Sequence, residues 1–130
     1  MGAAVRGLLD TSVVIAREVA ELPDEAAISA ATLAELHFGV LLARDDAARS
    51  LRLRRLAEIE SRFDPLPVDA PVARSYGMLA HVTVTAGRRP RRRALDLLIA
   101  ATAHAHGIPL YTRDRADLAA LERHLDLRLV

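Results

Sequence analysis

The distribution of apolar residues restricts this chain to a narrow set of folds. Short apolar runs at residues 5–9, 26–31, 108–111 and 127–130 are separated by stretches of helical length. Runs this short, bounded by Gly, Pro or acidic residues, suit strands covered on both faces. Strands that alternate with helices form βαβ units, because parallel neighbours need a crossover between them. The 130 residues are therefore expected to form one α/β domain spanning 1–130. Its centre is a mainly parallel β-sheet of about four to five short strands, flanked by helices.

Between these strands the chain reads as follows. A helix is expected from 13 to about 20, then a loop with Pro23 over 21–25. Thr32 opens a helix to about 43, and Asp45 and Asp46 start a long helix to about 62. In that long helix Leu51, Leu53, Leu56 and Ile59 are partly helical in spacing, and its Arg- and Glu-rich face is expected to be solvated. Residues 64–68 are extended. Asp69-Ala-Pro71 then starts a helix to about 85, with Asp as N-cap and Pro in the first turn. A basic loop over 87–93 precedes the most apolar helix, 94–106, and a short helix is expected over 117–124.

Hydrophobic residues make up 52% of the chain and aromatic residues 3%, so the core is built from Ala, Leu, Val and Ile. A net charge of +1 selects neither nucleic acid nor membrane, and only local clustering can carry such a claim. All 18 basic residues are Arg. Without Cys there are no disulfides, thiol nucleophiles or Cys–zinc sites, which fits a reducing interior. Arg6 and Asp10 within the first apolar segment are wrong for a signal peptide. The longest uncharged run, 97–112, contains two His and is broken by Gly107 and Pro109, so it is too short to span a bilayer. A cytoplasmic protein with no membrane partner is expected.

The acids point to a site. In open α/β sheets, functional groups gather beyond the carboxyl ends of the strands. Asp10 and Asp114 each follow an apolar strand, Glu35 and Asp96 lie near helix starts, and Asp117 follows Asp114 by one turn. Asp96 shares a face with Ile99, Ala100 and Ala103, where an ionised carboxylate loses hydration. Each acid also admits a structural role. Thr32-x-x-Glu35 matches a capping box, Asp96 gains from the helix dipole, Asp114 or Asp117 can cap the short helix, and Asp10 can be a turn residue. As a set they are harder to explain that way. Two carboxylates roughly 5 Å apart repel by about 3 kcal/mol at an effective dielectric of about 20. A bare cluster would partly protonate, whereas Mg²⁺ or Mn²⁺, which take oxygen ligands, would relieve the repulsion. Ions held by acids, with no other nucleophile nearby, equip a phosphodiester hydrolase. Ser12 has no His in a recognisable relation to it.

Four segments, Leu8-Leu-Asp10-Thr-Ser-Val, Thr32-Leu-Ala-Glu35-Leu, Leu95-Asp96-Leu-Leu-Ile-Ala-Ala-Thr-Ala and Tyr111-Thr-Arg-Asp114-Arg-Ala-Asp117-Leu, resemble in order and spacing a PIN-domain ribonuclease. The nearest subgroup is the VapC type, the toxin half of bacterial toxin–antitoxin pairs. The resemblance implies a Mg²⁺-dependent endoribonuclease (with Mn²⁺ as a substitute), a cognate VapB-like antitoxin, and a homodimer. It also implies that Asp10, Glu35, Asp96 and one or both of Asp114 and Asp117 are metal-holding catalytic acids, with Asp10 and Asp96 most direct. Thr112 matches a hydroxyl residue beside the last acids, and Thr11, Ser12 and Arg113 are expected to support the site. Leu118 stands where the family often has Phe, and Asp114 where Asn is common, which leaves open which of the last two acids approaches the metal.

Arg88-Arg-Pro-Arg-Arg-Arg93 ends three positions before Asp96. Guanidinium groups grip phosphate bidentately, so Arg88, Arg89, Arg91, Arg92 and Arg93 are expected to hold the RNA backbone. The low aromatic count argues against a base-stacking platform. The helices over 32–43 and 45–62 are the expected antitoxin dock. Among rival enzymes, a phosphoacceptor receiver domain relies on a Lys that this chain lacks, and a P-loop hydrolase on an absent Gly-Lys-Ser/Thr. The remaining rival is a catalytically inactive PIN-like module that binds RNA or protein.

Overall fold

The computed structural model describes residues 6–16 and 21–130. Val5 of the first expected strand and positions 17–20 of the first expected helix lie outside the described residues. Among the described residues the sheet has four strands, β1 (Arg6–Leu9), β2 (Glu25–Ala27), β3 (Leu110–Thr112) and β4 (Leu127–Leu129), in the spatial order β2-β1-β3-β4. All three pairings are parallel: Leu8 lies opposite Ala27 on one side and Leu110 on the other, and Leu110 opposite Leu127. The all-parallel sheet and its strand number agree with the alternation in the sequence. β1 is central, with Leu8 fully buried and Leu9 nearly so.

The helices are α1 (Thr11–Val14), α2 (Ala30–Leu41), α3 (Asp46–Arg62), α4 (Ala70–Thr85), α5 (Ala94–His106) and α6 (Arg115–Leu118). Asp45 and Asp69 cap α3 and α4 by accepting from the amides of Ala48 and Val72, and Pro71 lies in the first turn of α4, as the sequence predicts. α4 packs on α5, and Val72 and Leu79 share one buried core with Leu97, Ala100, Ala101 and Ala103. α5 ends on Gly107 at φ 64°, with Ile108 N–H bonded to Ala103 O and Gly107 N–H to His104 O. That paired closure needs a left-handed residue, which glycine adopts without a Cβ clash. No helix among the described residues is long and apolar enough to cross a membrane.

Several boundaries differ from expectation. β2 ends at Ala27 because Ser29 caps α2, its Oγ accepting from Ala31 N–H at 3.0 Å. Thr32 therefore lies inside the helix, fully buried, and Glu35 falls in its second turn. The capping box does not form. The extended stretch 64–68 joins this corner instead: Ala30 N–H donates to Leu66 O and Leu66 N–H to Ile28 O, each at 2.9 Å. The last helix starts at Arg115 and passes into a 3₁₀ turn over Ala119–Leu121, where 117–124 was expected to be helical. Only Leu56 of the α3 stripe is buried; Leu51 and Leu53 face solvent.

Gly7 is required by packing. A Cβ there would overlap the ring of Tyr111, which is buried, and lie 3.1 Å from Pro23 Cγ. Gly7→Ala is expected to destabilise the fold by about 1–3 kcal/mol, the usual cost of an extra carbon in a packed core. Urea unfolding tests this, and an unchanged midpoint would show that the ring can move aside.

Candidate active site

The site is built where β1 and β3 end side by side. Asp10 N–H bonds to Tyr111 O at 3.0 Å, so the first acid leaves the sheet in register with the third strand. Its carboxylate caps α1, accepting from Val13 N–H at 3.3 Å and from Ser12 Oγ–H through a short bond. The Ser12 hydroxyl oxygen also accepts from Arg113 N–H at 3.1 Å. Ser12 thus joins the loop after β1 to the loop after β3. Thr112 Oγ1 accepts from Asp114 N–H at 3.0 Å. Thr11 Oγ1–H donates to Glu35 Oε1 at 2.8 Å, and Thr32 Oγ1 lies 3.3 Å away. Each hydroxyl next to an acid therefore contributes a bond that orients one.

Asp96 lies in the first turn of α5, whose N-cap position is Arg93 and has no side-chain cap bond. Ile99, Ala100 and Ala103 on its face are buried. Arg93 Nη1 sits 2.8 Å from Asp117 Oδ1 and donates to Asp117 O at 2.9 Å. Asp117 accordingly lies within α6 and is held by an Arg, while Asp114 stands at the N-cap position.

Electrostatics couples the acids across four chain segments. Lost hydration pushes the Glu35 carboxyl above its ordinary value; the Thr11 hydrogen bond opposes this, and Asp96 and Asp10 add to it. Although its side chain is open to solvent on one side, Asp96 is also raised, first by lost hydration and then by Asp10 and Asp117, with Arg93 opposing. Asp114 and Asp117 share a hydrogen bond, which raises the first and, with Arg93, lowers the second. This is the strain expected of a crowded carboxylate set. Among the described residues, however, no three His, Asp or Glu side chains are drawn together tightly enough to coordinate an ion. Three of the acids are turned toward protein partners: Asp10 to Ser12, Glu35 to Thr11 and Asp117 to Arg93. The expected convergence is seen as shared field, without a closed ligand sphere. In kind the donors, all oxygen, suit a hard divalent cation. Thr11→Val is expected to move Glu35 further up, since the bond to its ionised form is lost, and a pH titration of the carboxyl ¹³C shift would follow this. An unmoved Glu35 would mean that the hydroxyl contributes nothing to its ionisation.

The basic segment adopts a 3₁₀ turn over Pro90–Arg93. A cleft of about 260 Å³ is lined by Glu35, Arg91, Arg92, Arg93, Ala94, Leu95 and Asp96, which puts three of the Arg beside two of the acids. Arg88, Arg89, Arg91 and Arg92 are exposed, whereas Arg93 is half-buried. A larger groove of about 1040 Å³ runs from Thr11 and Glu35 between α1, α2 and α3, floored by Val13, Leu36, Leu56, Ile59 and Phe63. Arg52, Arg55 and Arg62 line it too. Reading the charged face of α3 as merely solvated missed them, although their helical spacing places them on the face of Leu56 and Ile59. Two of the described His residues make polar contacts: His104 Nδ1 pairs with Ser75 Oγ at 2.8 Å between α4 and α5, and His37 Nε2 with Glu60 at 3.0 Å.

A parallel sheet ending in acids from β1, α2, α5 and the β3–α6 corner is the plan of a PIN domain, and the chain belongs to that family, which matches residues 7–123. Within the family it is similar to ribonuclease VapC5 of Mycobacterium tuberculosis (strain ATCC 25618 / H37Rv), with 41% identity over 132 residues covering 95% of this chain and 93% of that protein. It is also similar to ribonuclease VapC8 of the same species (strain CDC 1551 / Oshkosh), with 45% identity over 101 residues covering 75% and 89%. Among solved structures, VapBC-5 of M. tuberculosis, described as a member of the VapBC family of toxin–antitoxin systems, superposes with a TM-score of 0.84 at 38% identity, covering 97% of this chain and 98% of that one. The family resemblance carried by the four sequence motifs is borne out.

Proposed function

We propose that the chain, acting as one PIN-like unit, is a divalent-metal-dependent endoribonuclease and the toxin of a toxin–antitoxin pair. The observation that carries this reading is the coupling of Glu35 and Asp96 to Asp10, Asp114 and Asp117 beside a run of exposed Arg. The relatives named as ribonucleases support it. Asp10, Glu35 and Asp96, with Asp114 or Asp117, are the residues that would hold Mg²⁺ or Mn²⁺. When bound, such an ion supplies an acidified water and neutralises charge developing on phosphate. The chain's own part is orientation: Ser12 and Val13 N–H aim Asp10, Thr11 aims Glu35, and Thr112 fixes the Asp114 backbone. Arg88, Arg89, Arg91 and Arg92 would hold the RNA backbone next to these acids.

The groove over α2 and α3 suits an amphipathic partner, and we assign it to a VapB-like antitoxin on the strength of the VapBC-5 neighbour. Homodimerisation belongs to the same reading. The test is to incubate the antitoxin-free protein with RNA in Mg²⁺ or Mn²⁺ and in EDTA. Discrete cleavage that EDTA abolishes is the expected result. RNA binding without cleavage in either metal would replace this reading with the non-cleaving module.

A further inference from the structure

Four of the five Arg in the basic segment are exposed, and the fifth is used differently. The Arg93 side chain is 26% exposed, and its ion pair and its hydrogen bond both go to one residue, Asp117, 24 positions later. One contact is to the carboxylate and the other to the main-chain carbonyl, so it fixes backbone as well as side chain. Nη1 serves both contacts, a hydrogen bond to the carbonyl and an ion pair with the carboxylate. On the other side of that contact is α6, a single turn of four residues. A lone turn is marginal without tertiary support. Within it, Leu118 is buried and Arg115 bonds outward to Glu122. Arg93 is also the N-cap residue of α5, one turn before Asp96.

We propose that Arg93 is a positioning residue: it docks the segment carrying Asp114 and Asp117 onto the start of α5 beside Asp96, and does not recruit RNA. This divides the basic run into four residues facing the polyanion and one strap within the acid set. The division rests on the RNA-cleaving reading only for its kinetic consequence, since the docking itself is visible without RNA or metal.

The experiment compares Arg93→Gln, Arg93→Lys and Arg91→Gln by amide exchange and by binding of a short fluorescein-labelled RNA in EDTA at several salt concentrations. Arg93→Gln is expected to speed exchange at amides 114–118 by about tenfold, through local opening, and to leave the salt dependence of RNA binding unchanged. Arg93→Lys, which keeps a donor and the charge, should recover part of the protection. Arg91→Gln should do the reverse: ordinary exchange, with the slope of log K against log salt reduced by about 0.7, one single-strand phosphate contact. Where cleavage is measurable, Arg93→Gln lowers kcat at unchanged KM. A reduced salt slope in Arg93→Gln, or unchanged exchange, overturns the proposal. Should Arg93→Gln fail to fold, Arg93→Lys is judged by the same two readouts. Should the wild type bind no RNA, the nuclease reading fails, and exchange alone still decides the docking.

Discussion

Asp96→Asn is expected to fold at least as well as the parent and to cleave RNA about 10²–10³-fold more slowly. The loss follows if this carboxylate helps hold charge against the reacting phosphate, since such interactions contribute several kcal/mol in the transition state and each 1.36 kcal/mol is about tenfold in rate. The gain in folding follows from the repulsion of Asp96 by Asp10, Asp117 and Asp114, which the amide does not feel. Because the side chain faces solvent, screening keeps that gain below about 1 kcal/mol. Single-turnover cleavage and a Tm in EDTA test both halves. Activity within about tenfold of wild type would remove Asp96 from the site, and lost activity with a lowered Tm would assign the defect to folding.

The metal-free protein is expected to lose stability as pH rises above the ordinary carboxylate range, and divalent cations to reverse this. Glu35, Asp96 and Asp114 have folded-state pKa values above their ordinary 4.5, 3.8 and 3.8, so the folded chain holds their protons more tightly than the unfolded chain does. Their contribution is complete below the ordinary values and is lost as pH rises through the raised ones. Asp117 and Asp126 are lowered, the first by Asp114 and Arg93, the second by Arg128. Their contribution is present above 3.8 and lost only as pH falls through their folded values, outside the window in which the raised group acts. A Tm profile in EDTA should therefore decline from mild acid toward neutrality. At about a hundredfold excess over Kd, Mn²⁺ should add roughly 2.7 kcal/mol and invert the slope, since the ligands must be deprotonated. A flat EDTA profile would mean that the acids are not crowded. An Asp96→Asn protein that still responds fully to Mn²⁺ would place the ion elsewhere.

Much of this was legible because local chemistry decided it. Asp69 followed by Pro71, Asp45 before a long helix and Gly107 after the last apolar turn each have one sensible reading, and the structure agrees. Asp10 and Asp96 stood out because carboxylates in apolar settings demand a reason. What was not legible depends on distant partners. Ser29 and Thr32 are both acceptable caps, and only the burial of Thr32 beneath Thr11 decides between them. Arg93 was indistinguishable from its four neighbours in a basic run; its partner is 24 residues away and visible only after folding. Topology brings the acids to one edge as an electrostatically coupled set, but which hydroxyl each one faces is a matter of side-chain geometry that spacing does not encode.

The place of β1 in the sheet has a consequence for when the protein can act. β1 pairs on one side with β2, close behind it in sequence, and on the other with β3, which follows α5. Ser12 and Arg113, which join the two sides of the acid edge, are 101 positions apart. Contacts that far apart in sequence form late and slowly. A growing chain therefore carries Asp10, Glu35 and even Asp96 before the β3 edge on which they assemble has been made, and the proposed ribonuclease activity cannot arise until that strand is in place.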